Sequence, residues 1–374
     1  MKKKAYVFFV LVTLITVIAL HFLVNSMQGS QIIGTSDTFA TISANHQRKL
    51  FYTNGLHWIF FCNGTQIFYS SSSNGINWNK PIAVENSSSG SAISIWFDQK
   101  IHYVYASGVQ GSPVLYRRGE IVGKEIIWEE YSTCIESRGP SYRYFNGYCI
   151  KDGHGYPWAA CLGSDEGSWC AYAVKALVVE GNAWMQPQII FGPFVTPARV
   201  AILPLEDGKV YAVCAGTDGA RGRLWNGTSW GSEEVITSAS LVAEYGYSAA
   251  SLGDKVHLVL LEKSKHDILY FLRTDEANWQ EEVVERGLDD LSLPAICLDE
   301  SNGNLYCFWI HNNTIWLKEK VNGVWKNPTH PFGVDFGKLR GISCFYKVFE
   351  SMVGVAWLEQ HNDLYEVKYR FLLV

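Results

Sequence analysis

The chain has 374 residues, a formal charge of −5, 14% aromatic and only 18% charged residues, with 33 Gly and 14 Trp among them. That balance excludes a disordered chain, which lacks aromatics, and disfavours a helical bundle, whose faces need many Glu, Lys, Ala and Leu. Setting aside Lys2, Lys3 and Lys4 takes 3 of the 31 basic groups and leaves 28 against 36 acidic ones, the wrong sign for a nucleic-acid partner.

In chain order, residues 5–24 come first, an apolar run broken only by Thr13, Thr16 and His21. Twenty helical residues reach about 30 Å, the thickness of the hydrocarbon core. The lysines before it belong on the cytoplasmic side, so the rest of the chain is exported. The reading is a single-pass membrane protein with an extracellular C-terminal domain; secretion after signal cleavage near Val24-Asn25-Ser26 is the alternative. Residues 1–30 thus hold the lysines, the transmembrane helix and a short linker, and 31–374 form one extracellular domain. Asn63, Asn86, Asn226 and Asn312 each begin an Asn-x-Ser/Thr glycosylation tripeptide. Cys161 and Cys170 bracket a hairpin-like loop and are the disulfide candidate among nine cysteines; Cys297 and Cys307 flank a second hairpin. No Cys-x-x-Cys or His-Glu-x-x-His spacing occurs, so neither a metal nor another cofactor is expected.

Beyond residue 30, short alternating runs bounded by Gly, Asn, Asp and Ser indicate strands and tight turns. One block recurs seven times. Its second strands begin at Leu56, Ile101, Tyr156, Val210, Val256, Leu305 and Val353, spaced by 45, 55, 54, 46, 49 and 48 residues, the range of four-stranded propeller blades. Turns such as Asn54-Gly55 and Asp207-Gly208 suit two-residue hairpins. Six units close on a tryptophan: Trp78, Trp128, Trp184, Trp230, Trp279 and Trp325. The expected fold is all-β, a seven-bladed β-propeller, with six blades as the alternative. The seventh unit lacks an outer strand, which Asp37 to Ser43 are expected to supply.

Ser71-Ser72-Ser73-Asn74-Gly75-Ile76-Asn77-Trp78 resembles the Asp-box, Ser-x-Asp-x-Gly-x-Thr-Trp, of sialidase-like BNR-repeat propellers. Ser71, Gly75 and Trp78 match, while Ser73 and Asn77 replace the Asp and Thr. The resemblance spans the chain from about residue 37 and implies a glycan-related propeller. Its catalytic members use a tyrosine nucleophile with a glutamate, an aspartic acid/base and an arginine triad for a carboxylate. This chain carries no Arg-Ile-Pro sequence, and seven repeats differ from the six blades of sialidases.

In a propeller, segments leading into the innermost strands and the loops between second and third strands surround one mouth of the central channel. Those segments hold Arg138, Arg143, Arg199, Glu244, Tyr245, Tyr247, Asp289, Asp290 and Arg340, and the loops add Asp165, Glu166, Asp218, Arg221 and Arg223. The candidate catalytic residues are Tyr245, Glu244 and Asp165; the candidate substrate-binding residues are Arg138, Arg199, Arg340, Tyr247 and Arg221. A planar guanidinium matches a carboxylate bidentately, and a phenol needs a nearby base to attack. Three functions are open: glycan recognition at the mouth, a cell-surface protein-interaction scaffold, or a sialidase-type glycoside hydrolase acting on terminal acidic sugars. A glycan or a surface protein is the expected ligand of a monomer.

Overall fold

The computed structural model describes residues 31–42, 44–165, 167–196, 198–275, 277–333 and 336–374. The apolar run at 5–24 lies outside the described residues.

Short strands pair antiparallel into seven sheets among the described residues. Blade 1 comprises Leu50–Thr53, Leu56–Cys62, Gln66–Ser72 and Ile82–Asn86. Blade 2 comprises Ile93–Phe97, Ile101–Tyr105, Val114–Val122 and Ser132–Ile135, with Glu125–Trp128 also paired to its third strand. Blades 3 to 6 each run as an uninterrupted four-strand meander, with inner strands Arg143–Lys151, Ala198–Pro204, Tyr247–Leu252 and Ala295–Leu298. The second strands start within one residue of the positions expected from the repeat. They read as continuous apolar runs because a strand between two neighbouring blades is covered on both faces: all seven residues of Leu56–Cys62 are buried, whereas none of the outer strand Ile82–Asn86 is. At the Asn54-Gly55 turn both residues have positive φ, 52° and 73°, the geometry a two-residue type I′ hairpin requires.

Blade 7 is closed by the other end of the chain. Its strands Lys338–Cys344, Met352–His361 and Leu364–Leu373 are joined by Gly34–Ser36, which pairs Gly34 with Val367 and Ser36 with Tyr365. The closing strand therefore lies just before the expected Asp37 to Ser43 segment, whose Phe39–Thr41 forms a 3-10 turn instead. The side chain of Thr38 caps that turn by accepting from the Ala40 N–H, which ends the strand. Pairing the two chain ends removes the sheet edge that an open ring would expose.

Each closing tryptophan packs on the blade before it. Ring centroids lie 5.1 Å apart for Trp78 and Tyr369, 5.0 Å for Trp184 and Tyr116, and 5.5 Å for Trp325 and Tyr270, all edge-on. Trp279 meets Tyr211, Trp230 meets Trp158 and Trp128 meets Phe60 in the same sense. Such pairs are worth about 0.5–1.5 kcal/mol each beyond the area they bury, so the tryptophans are the ring's inter-blade fastening. Within Ser71–Trp78, the Ser72 hydroxyl accepts from the Gly75 N–H and donates to the Asn77 carbonyl, and Asn74 Oδ1 accepts from Ile76 and Asn77. The segment is a self-bonded turn that aims Trp78 at blade 7.

All nine cysteines are free thiols, eight of them buried. The expected Cys161–Cys170 bridge is absent because the strand register sets Cys161 opposite Tyr172 and Cys170 opposite Gly163. Cys297 and Cys307 pair with Tyr306 and Ile296 respectively, so they project from opposite faces of their sheet. Of the glycosylation candidates, Asn63 sits in the turn after Leu56–Cys62 and Asn86 ends the exposed outer strand of blade 1. Asn226 and Asn312 are exposed in turns.

Candidate site at the channel mouth

The innermost strands all start at one face, so the segments feeding them ring the channel there. Arg199, on the inner strand of blade 4, and Glu244, just before that of blade 5, meet in an ion pair of 2.9 Å. The Tyr247 hydroxyl donates to the Arg199 carbonyl at 2.9 Å. Burial weakens the Arg199 charge while Glu244 supports it. Tyr245 is half-buried, and its phenol is pushed up first by burial and then by the Glu244 carboxylate. Glu244 is thus engaged by Arg199.

The other candidates are held separately. Arg138, exposed before blade 3, stacks over the Tyr172 ring at 4.7 Å, and the Tyr142 and Tyr172 hydroxyls lie 2.6 Å apart. Asp165 accepts from the Ser141 hydroxyl at 2.9 Å; Glu166 lies outside the described residues. Arg340, on the inner strand of blade 7, donates to the Leu339 carbonyl. Arg221 pairs with Glu233 on the flank of blade 4, and Arg223 donates to the Ile190 carbonyl of blade 3. Asp218 accepts from Thr196. Asp289 and Asp290 pair with His311 and His266. The structure therefore brings Arg199, Glu244 and Tyr247 together and distributes Arg138, Arg221 and Arg340 over three blades with different partners.

One element escaped the sequence reading. Asn45-His46-Gln47-Arg48-Lys49 does not lie on the surface: all five are buried, at 6% exposure or less. The segment extends the inner strand of blade 1 across the channel. Asn45 donates to the carbonyls of Leu293 and Pro294 of blade 6. Gln47 donates to those of Ser91 and Gly147, reaching blades 2 and 3. The His46 ring stacks on Tyr247 at 4.9 Å and on Tyr148 at 6.2 Å. Five consecutive polar residues carry no mark of burial in themselves; the one signal is their position just before the first inner strand. The segment thus fills the space inside the ring of inner strands, with His46 and Tyr247 both buried.

Among the described residues, one group has the donor set of a metal site: Glu359, His361 and Glu366 at the hairpin of blade 7. Lys368 stands 3.0 Å from Glu366 and 4.0 Å from Glu359, so an ammonium already supplies positive charge there.

No protein-family profile matches the sequence, and no curated protein matches it either. Solved structures share its fold. An ulvan lyase of a polysaccharide lyase family, bound to a glucuronate–sulfated-rhamnose unit, superposes with a TM-score of 0.57 at 12% identity, covering 90% of this chain and 95% of that one. The polysaccharide lyase Uly1 gives 0.54 at 10% identity over 88% and 90%. A point mutant of NanB sialidase from Streptococcus pneumoniae gives 0.50 at 12% identity over 92% and 70%. The chain is an all-β seven-bladed propeller whose fold resembles that of these proteins; the likeness to the Asp-box of BNR repeats has no family match behind it.

Proposed function

We propose that this protein recognises acidic glycans at the channel mouth, as a monomeric domain carried outside the cell by a membrane anchor at residues 5–24. The observation that carries this reading is the state of the mouth's guanidinium groups. Arg138, Arg143 and Arg340 have no carboxylate partner among the described residues, and Arg138 lies against the Tyr142–Tyr172 pair. Guanidinium groups bind uronate carboxylates or sulfates in bidentate fashion, and an aromatic group beside one accepts a sugar's apolar face. The glucuronate–sulfated-rhamnose unit named for one structural neighbour is consistent with that chemistry.

Binding is favoured over hydrolysis because the tyrosine–glutamate arrangement that a sialidase-type step needs is not assembled: Glu244 is paired to Arg199. The test is a panel of uronate-bearing, sulfated and neutral polysaccharides, followed by titration of any hit. Expected is salt-sensitive binding to acidic members, weakened at least tenfold by Arg138→Ala or Arg340→Ala, with no new reducing ends released. Absence of binding to every member would refute glycan recognition; release of reducing ends that Tyr245→Phe abolishes would replace it with catalysis. Protease protection of residues 1–4 in intact cells, with cleavage of the domain, checks the anchor.

A further inference from the structure

The segment inside the ring carries a buried charge that no carboxylate among the described residues balances. Arg48 is 4% exposed and Lys49 is fully buried. No carboxylate among the described residues pairs with either. Lys49 is directed at Gln47 Oε1 and the Ile93 carbonyl. Burial pulls both Lys49 and His46 far down, toward their neutral forms. A guanidinium has no such escape, since it keeps its proton across the accessible pH range. The Arg48 guanidinium makes one long hydrogen bond among the described residues, 3.4 Å to the Cys149 carbonyl. It is otherwise enclosed by the rings of Trp96 at 4.4 Å, Tyr346 at 4.6 Å and Tyr148 at 5.2 Å. Those faces attract a cation but do not neutralise it, and an unpaired buried charge is strongly unfavourable.

The surroundings supply the rest of a site. Among the described residues, no partner meets the buried Arg48 Nε, the Trp96 indole nitrogen, the Tyr148 hydroxyl or either ring nitrogen of His46. The first three belong to the guanidinium and to two of the rings stacked on it, and Arg48 Nε and the indole can only donate. The carboxylates nearest in effect, Asp98 and Glu300, act on Tyr346 but are occupied, Asp98 by His102 and Lys151 and Glu300 by Lys347. We propose that the space inside the ring holds one small monovalent inorganic anion of the halide class, bound by Arg48, the Trp96 indole N–H and the Tyr148 hydroxyl. The burial of all three donors selects for small size, and a single permanent cation for single charge. A water molecule would satisfy the donors and leave the guanidinium unbalanced.

Two measurements on the full chain decide this. In the first, urea denaturation is followed at constant ionic strength as sodium gluconate is replaced by sodium chloride or bromide. A ligand bound only by the folded state raises the midpoint with the logarithm of its concentration once above its dissociation constant. Tyr148→Phe, which keeps the ring and removes one donor, is expected to raise the halide concentration needed by about tenfold. Identical midpoints in gluconate and halide, or equal halide dependence in the variant, would overturn the proposal. In the second, crystals of the unaltered protein grown in bromide are expected to show an anomalous peak between Arg48, Trp96 and Tyr148. Bromide at surface positions only, an adventitious ion only, would overturn it even if the variant failed to fold.

Discussion

Blades 4 and 5 are clamped by one carboxylate, and removing it should cost more than removing the clamp as a whole. Glu234, on the outer strand of blade 4, accepts from Arg273 Nε at 3.0 Å and Nη2 at 2.9 Å. It also accepts from the Tyr211 hydroxyl at 2.6 Å and the Trp279 indole at 3.3 Å. The Arg273 side chain is 4% exposed and that of Glu234 is 12%. Burial opposes the Glu234 charge, but the bonds from Arg273 and Tyr211 outweigh it and hold the carboxyl below its usual range. Glu234→Gln keeps the volume but leaves Arg273 inside without a counter-charge, a loss of about 3–5 kcal/mol for a broken buried pair. The residual exposure of Glu234 places the expectation at the lower end, about 3 kcal/mol. Adding Arg273→Met removes the orphaned charge and should restore about 2 kcal/mol of that. Urea denaturation followed by tryptophan fluorescence reads both variants. A loss under about 1 kcal/mol for the single variant, or a double variant no more stable than the single, would refute the reasoning.

Further outcomes follow from other positions. Burial pulls His57 and His257 down to about 4. Between about pH 6.5 and 4 the unfolded chain therefore binds protons that the folded chain refuses. Stability is intact above that window and falls as pH drops through it, by up to about 3 kcal/mol per histidine; His257→Phe should flatten the profile measured by thermal melts. Gly222→Ala would place a Cβ 1.9 Å from the Tyr211 hydroxyl, and overpacking of this kind costs about 1–3 kcal/mol; an unchanged melting temperature would contradict the packing between the second and third strands of blade 4. Deleting residues through Ser36 removes the strand paired to residues 365–367 and should yield a domain that aggregates through the bared edge of blade 7, seen by light scattering. Raising salt should weaken binding of an acidic polysaccharide, with a slope that shrinks when Arg340 is replaced by Ala.

The seven-fold repeat, the strand starts and the tryptophan markers were legible in the residues because each depends on local pattern. A strand covered on both sides must be apolar throughout, as Leu56–Cys62 is, and a tight hairpin must carry residues that tolerate positive φ, as Asn54-Gly55 does. Neighbouring repeats then fix which tryptophan meets which blade. Much of the candidate site was less legible, since Arg138, Arg199 and Arg340 could be assigned to one mouth by topology while their partners come from other strands or loops. Glu244 is 45 residues from Arg199 in the chain, and nothing in either local sequence announces the pair.

The repeat, with its strands, turns and seven units, was therefore readable from the residues alone. The non-repeating pieces take their places only in the assembled ring. Cross-strand register, set by whole hairpins, separated Cys161 from Cys170. Ring closure drew Gly34–Ser36 onto blade 7. It also carried Asn45 to Lys49 into the channel, where carbonyls from three other blades satisfy Asn45 and Gln47. A polar run looks like a solvated loop as long as its partners lie 44 to 249 residues away, because burial is a property of the assembled ring and not of the run.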